Sequence, residues 1–276
     1  MRKFNAKLIL ANLIAWTIAI IWLTPFIGLF MTSVRPFREL THGWWNFEEM
    51  HFTLENYIEA FNRGMGKYLL NSLVITIPST ALPIFVAALA AYAFSRFSFP
   101  LKDMLFVTLV FIQIIPSILV LIPLTILLRE MRLLNTIAGL VLVHSSFAQP
   151  WIIFFLRNFF LTLPREIEEA AKIDGCSDFQ IFTKIVLPLS APALGSVASL
   201  QFLLVWNEFL FALIFLKSPE LWPVTIGVTV LSQSQYIANW GLLSAASIIA
   251  ISVPLILFLL IQKYYVKGLI MGAVKG

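Results

Sequence analysis

Long windows of this chain contain no Asp, Glu, Lys or Arg. They run from Leu8 to Val34, from Tyr68 to Ser95, from Met104 to Leu128 and from Leu133 to Leu156. Ile185 to Leu216 carries a single acid, Glu208, and Leu221 to Gln262 carries no charge at all. A helix needs roughly 20 apolar residues to cross the ~30 Å hydrocarbon layer of a bilayer. Windows of this length therefore point to membrane spans, and the composition agrees. Charged residues make up 12% of the 276 positions and hydrophobic ones 60%, with a mean hydropathy of +0.91. A soluble domain carries about 25% charge, so this chain lacks the charge to coat a soluble surface. An ordinary soluble enzyme, a disordered protein and a disulfide scaffold are all excluded. The lone Cys176 has no internal partner for a disulfide.

Six spans are predicted, at about 8–31, 69–93, 104–128, 136–156, 195–216 and 242–262. The class is all-α and polytopic. The stretch 221–241 is charge-free but too polar for lipid, with Gly227, Ser232, Gln233, Ser234, Gln235 and Asn239. The first span follows Arg2, Lys3 and Lys7 like a signal peptide, but it is too long and no small-residue cleavage site follows it, so it reads as an uncleaved anchor. Twelve Lys and Arg fall on the side of the termini and seven on the other, where acids such as Glu39, Glu48, Glu49 and Glu55 offset them. The positive-inside rule then puts both termini in the cytoplasm. The basic excess is thus a topology signal and does not call for nucleic acid. The chain divides into residues 1–66 (tail, first span and outer loop), 67–262 (five spans and a cytoplasmic loop, 157–190) and a tail, 263–276. In the outer loop, Leu54 to Phe61 is amphipathic and reads as a helix capped by Thr53.

The cytoplasmic loop is unlike the rest. Pro164 suits a first helical position, and Glu166, Glu168 and Glu169 suit the positive end of a helix dipole. Gly175 suits a left-handed cap, and Ser177 with Gln180 spells a capping box for a second helix. Phe179, Phe182, Ile185 and Val186 then share one face, and Pro188 and Pro192 end the helix before the fifth span. Ala170 and Ala171 keep the first helix slim enough for another protein's backbone to approach.

Glu169-Ala170-Ala171, three residues, Gly175, nine residues, Ile185, one residue, Leu187-Pro188 resembles the signature of permease subunits of binding-protein-dependent ABC importers, with every fixed position matched. Leu156 to Phe160, Trp206 to Phe209 and the tail from Lys267 to Gly276 resemble the carbohydrate branch, specifically the smaller permease of maltose-type pairs. The likeness covers nearly the whole chain and is least specific over 32–67. It implies a type I importer permease fold of six transmembrane helices. It also implies a second homologous permease, an ATPase dimer beneath, an extracytoplasmic sugar-binding protein, and the inner membrane of a prokaryote. By the same resemblance, Glu169, Ala170, Ala171, Asp174, Gly175, Ile185, Leu187 and Pro188 couple to the ATPase. Gly272, Ala273, Val274, Lys275 and Gly276 reach between the two ATPases, and the loop 217–241 touches the binding protein.

Other side chains carry groups capable of chemistry. An acid inside a span is costly, so Glu208, with Gln201, Trp206, Asn207 and Phe211, is a candidate lining for a sugar pathway. The bland alternative pairs Glu208 with a partner subunit or places it near the outer interface. His144 and Ser145 lack the third group and the turn that a hydrolase needs, so helix packing is expected of them. His42, His51 and one cysteine make no metal cluster. Gly64-Met65-Gly66-Lys67 lacks the glycine spacing and the Ser/Thr of a phosphate loop, so no ATP hydrolysis is expected of this chain, and ATP and Mg are expected on the ATPase partner. A self-sufficient ion-coupled secondary transporter is the rival class. It calls for several buried acids or broken helices in both halves, and one buried acid with no visible inverted repeat counts against it.

Overall fold

The computed structural model describes residues 6–46, 50–232 and 239–273, with side chains over 10–46, 50–231 and 239–260. Among the described residues every regular element is helical. In chain order the helices are α1 (Ala6–Ser33), α2 (Glu55–Asn62), α3 (Met65–Arg96), α4 (Lys102–Ile112), α5 (Leu121–Glu130), α6 (Ile137–Phe160), α7 (Arg165–Ile173), α8 (Asp178–Ile181), α9 (Leu187–Leu189), α10 (Ala191–Trp206), α11 (Leu210–Phe215), α12 (Val224–Ser232) and α13 (Trp240–Ala273). Four segments are long and apolar enough to cross a membrane unbroken: Leu10–Ser33, Met65–Arg96, Ile137–Phe160 and Trp240–Leu260. The count reaches six when each of two bent pairs is taken as one span.

The second bent pair joins Asp178–Leu189 to Ala191–Trp206 at 74°, while the first bent pair and a separate helix break revise two expected spans. The third, expected at 104–128, is folded by 93° between α4 and the segment Ser117–Glu130. Pro116 has no N–H to continue the helix, and it disfavours helical geometry at Ile115. The fifth, expected at 195–216, starts earlier, at Ala191, and stops at Trp206; α11 is a separate half-helix. The apolar run continues there, but the backbone does not.

The chain forms two compact units, one of residues 1–66 and 227–252 and the other of 67–226 and 253–276. In the first unit, the hydroxyls of Thr17 and Thr24 on α1 donate back to the carbonyls of Leu13 and Ile20, at 2.9 and 3.0 Å, so neither is left unpaired in an apolar setting. The outer loop is organised by Arg35, which is fully buried. Its guanidinium meets Glu39 at 3.0 Å and donates to the carbonyls of Trp44 and Asn46 at 3.2 and 2.8 Å. Asn56 on α2 donates to the carbonyls of Ser33 and Arg35. The Thr53 hydroxyl accepts from the Glu55 N–H as expected, although Leu54 holds the cap position itself. Gly241 lies so close to Asn56 that a Cβ would come within 2.7 Å of its amide.

In the second unit, α3 presents Ala87, Ala88 and Ala91, all buried, to a core that includes Ile152, Leu156 and Phe160 of α6. Small side chains let helix backbones approach closely where apolar tails offer no hydrophobic drive. A second core gathers Ile75, Leu128, Leu140, Val143, Phe211 and Phe215. Near it, Asn135 holds the stretch after α11 in place: its Oδ1 accepts from the N–H groups of Lys217 and Ser218 at 2.8 and 3.0 Å. Asn71 donates to the carbonyls of Glu220 and Trp222.

Candidate functional site

The loop after α6 folds as a tight helical hairpin whose geometry is set locally. Pro164 sits at the cap of α7 rather than inside its first turn. α7 ends in a Schellman motif: the Cys176 N–H bonds to the Ala171 carbonyl and the Gly175 N–H to the Lys172 carbonyl, both at 3.0 Å. Gly175 has φ +83°, the left-handed conformation this motif requires and glycine adopts freely. The capping box forms as the residues spell it. The Ser177 hydroxyl accepts from the Gln180 N–H at 3.3 Å, and the Gln180 side chain accepts from the Ser177 N–H at 2.8 Å. Lys172 meets Asp178 across the turn at 2.9 Å, with both side chains exposed; such a surface pair contributes well under about 1 kcal/mol.

The signature residues divide between two directions. Glu169, Ala170, Asp174, Gly175 and Pro188 face outward. Ala171 is buried in the same core as Ala91 and Phe160, and Ile185 and Leu187 pack partly against it. Ala170 and Ala171 therefore do not make one small face, because consecutive helical residues point about 100° apart. Phe179 also departs from expectation. It is 67% exposed, while Ile181, Phe182 and Val186 turn inward. Residues Phe182–Val186 form a π-helix, which advances less per residue than an α-helix and rotates Val186 off the line of Phe179. Phe179 joins Ile173, 88% exposed, and Ile167 in leaving an apolar surface on an otherwise charged hairpin.

One buried contact here was not expected. Glu168, valued in the sequence for the helix dipole, is buried and paired with Arg96 at the end of α3. Arg96 Nε donates to Glu168 Oε1 at 2.8 Å, and its terminal nitrogen donates to the carbonyls of Phe160 and Leu163 at 2.8 and 3.4 Å. The Tyr92 hydroxyl donates to Glu168 Oε2 at 3.3 Å. The two partners lie 72 positions apart, a separation that no local pattern records.

The five candidate pathway residues have different surroundings. Gln201 is buried, donates to the Ser79 carbonyl at 3.1 Å and accepts from Trp151 Nε1 at 3.3 Å. Pro83 has no N–H to offer the carbonyl four residues before it, and Gln201 fills that vacancy. Trp206 is buried and stacked on Phe202, and Phe211 is buried among Phe147, Phe215 and His144. Asn207 is exposed and donates back to the Leu203 carbonyl. Glu208 caps α11, accepting from the N–H groups of Phe211 and Ala212 at 2.7 and 3.2 Å, with His144 Nε2 3.9 Å away. The sharp break at 207–209 is thus matched to an acid at a helix N-terminus, an arrangement worth up to ~2 kcal/mol. His144 packs within the helices, as expected. Gly272 and Ala273 close the last turns of α13, while Val274, Lys275 and Gly276 lie outside the described residues, as does 233–238 within the loop 217–241.

A groove of about 750 Å³ beside α3 is lined by apolar side chains such as Leu73, Ile77, Phe85, Leu194, Phe202 and Leu257, with Thr80 the polar exception. It offers largely apolar surroundings, and the Thr80 hydroxyl already donates to the Thr76 carbonyl.

Residues 83–270 match the family described as the binding-protein-dependent transport system inner membrane component. The chain is 51% identical to a probable ABC transporter permease of Pyrococcus horikoshii, with 96% of each chain covered. It is 41% identical to an osmoprotective compounds uptake permease of Synechocystis, over 94% of this chain and 90% of that one. It is 43% identical to an alpha-glucoside transport permease of Rhizobium meliloti, over 82% of this chain and 61% of that one. Its fold is that of a chain in the crystal structure of a bacterial ABC transporter that imports the polysaccharide alginate. The TM-score there is 0.82 at 19% identity, with 96% and 100% of the two chains covered.

Proposed function

Because the chain belongs to the family of binding-protein-dependent transport inner membrane components, we propose that it is one of two permease subunits of a sugar or oligosaccharide importer in a prokaryotic inner membrane. The partners in this reading are a second homologous permease, an ATPase dimer that holds ATP and its Mg²⁺, and an extracytoplasmic binding protein. Relatives named for alpha-glucoside and arabinooligosaccharide transport support a sugar or oligosaccharide substrate. The basic residues support termini and hairpin on the cytoplasmic side.

The observation that carries this reading is the outward apolar tip of the hairpin, Ile167, Ala170, Ile173 and Phe179, set on a turn held rigid by two backbone caps. A rigid apolar knob among charges fits a cleft on another protein. ATP-driven approach of the two ATPases draws the two hairpins together, and the pore shifts between inward- and outward-open states according to which one ATP binding favours. Among the described residues, Gln201, Trp206 and Phe211 pack inward and the groove is mainly apolar, which supports Asn207 and the edge of Glu208 as this chain's contribution to a pathway shared with the second permease.

The test is co-purification. Ile173→Glu with Phe179→Glu changes two exposed side chains and leaves the buried core alone. ATPase recovered with the complex is expected to fall by about tenfold, the scale of losing one apolar contact cluster, while the second permease stays bound. ATPase retained at the wild-type level would remove the hairpin tip as the docking element.

A further inference from the structure

We propose that the Arg96–Glu168 ion pair is the lever that ties the hairpin to the membrane spans, making Glu168 and Arg96 positioning residues for coupling. This rests on the importer reading above.

The attachments of α7 carry the argument. Glu166, Glu169, Asp174 and Asp178 are all exposed, and Glu168 is buried. Apart from Ala171, the apolar residues of α7 face outward or sit at its exposed tip. Within α7, the inward attachments are the Ala171 methyl group and the Glu168 carboxylate, which Arg96 pairs and the Tyr92 hydroxyl hydrogen-bonds. These resist force differently. A packed methyl opposes compression but slides and lifts easily. A buried carboxylate and guanidinium cannot separate without leaving each charge unpaired in a poor solvent, which is strongly unfavourable. The pair thus transmits a pull as well as a push.

Arg96 distributes that pull. The same guanidinium grips the Phe160 carbonyl at the end of α6 and the Leu163 carbonyl in the link to α7. It sits at the last residue of α3. Tyr92, one turn earlier, reaches Glu168 with its hydroxyl and places its ring 5.1 Å from Phe182 and 6.5 Å from Phe160. Movement of α7 is therefore passed to α3, to α6 and to the π-turn that leads into α10. A planar fork with several donors can serve three acceptors at once, which a lysine ammonium does less well.

The experiment uses the assembled transporter in vesicles, with the wild-type complex and Glu168→Gln compared. Three quantities are measured: ATPase bound per permease, ATP hydrolysed per bound ATPase, and sugar taken up per ATP. A glutamine keeps the shape and loses the charge. Bound ATPase is expected to stay at the wild-type level because the outward tip is untouched, while sugar moved per ATP falls by about tenfold, within the usual range of coupling factors between sites. Tyr92→Phe, which removes one hydroxyl, is expected to shift the same ratio in the same direction by about twofold. If uptake and hydrolysis fall together so that the ratio is unchanged, or if all three stay at wild type, the pair only braces the loop and the lever is wrong. Should Glu168→Gln fail to assemble, the Tyr92→Phe ratio decides alone. Failure of the importer reading looks different: the wild-type complex then brings down no ATPase.

Discussion

Gln201 illustrates how the same side chain changes meaning once its neighbours are known. In the sequence, a polar residue in an apolar span suggests a pathway; in the structure it repairs a backbone defect left by Pro83 on another helix. The expected consequence is a stability effect. Gln201→Leu keeps the approximate volume but orphans the Ser79 carbonyl, at a cost of about 1–3 kcal/mol. The unfolding midpoint of the detergent-purified chain should fall, and the apparent affinity for sugar in surviving transporters should not change. A shift in affinity with no loss of stability would restore Gln201 to the pathway. Glu208 is held in part in the same way: its carboxylate accepts from the N–H groups of Phe211 and Ala212 in α11, which leaves its edge for a pathway. His144 packs on Phe211 with its Nε2 3.9 Å from Glu208, but the Ser145 hydroxyl has no hydrogen-bond partner among the described residues, so serine and histidine form no nucleophile–base pair.

The hairpin of α7 and α8 was read from the residues almost as it stands. Its caps are local devices, each satisfied within a few positions, so the sequence records them fully: glycine for a positive φ, serine and glutamine for reciprocal hydrogen bonds. What could not be read was which way the hairpin faces. Ala171, Ile181 and Phe182 turn inward because α3 and α6 happen to lie there. Phe179 turns outward because it lies two residues before the buried Ile181, about 160° around the same helix, and the π-turn from Phe182 then takes Val186 off its line. The turn itself gives a sharp prediction. Gly175→Val places a β-branched residue at φ +83°, costing on the order of 1–3 kcal/mol locally. No atom lies within 4 Å of a Cβ there, so Gly175→Ala should be milder than Gly175→Val, and the loss comes from backbone strain alone. ATPase recovered on purification is expected to fall in the order glycine, alanine, valine. Equal losses for alanine and valine would point to a steric clash with the partner instead.

The two compact units place the outer loop, with its buried Arg35, in one and the hairpin with Arg96 in the other. If the positive-inside reading holds, the hairpin faces the cytoplasm and the stretch after α11 faces outward. In a Cys176→Ser background, single cysteines at Lys217 and Ser177, both exposed, are expected to react oppositely with a membrane-impermeant thiol reagent. Lys217→Cys should label in intact cells, and Ser177→Cys should label after the membrane is opened. Labelling of Ser177→Cys from outside would invert the topology and end the coupling argument.

Charge-free windows were enough to establish an all-helical membrane protein, because the cost of placing a charge in hydrocarbon acts on every residue independently of its neighbours. Short-range sterics and helix dipoles made the hairpin readable for the same reason. The break at 207–209, the 93° fold between α4 and α5 and the Arg96–Glu168 pair were decided by the tertiary structure. Each depends on which distant helix supplies a hydrogen-bond partner or a packing surface. An unbroken apolar run cannot say where a backbone will find it cheaper to bend, and a single arginine at the end of a span cannot name the acid, 72 positions away, that will bury it.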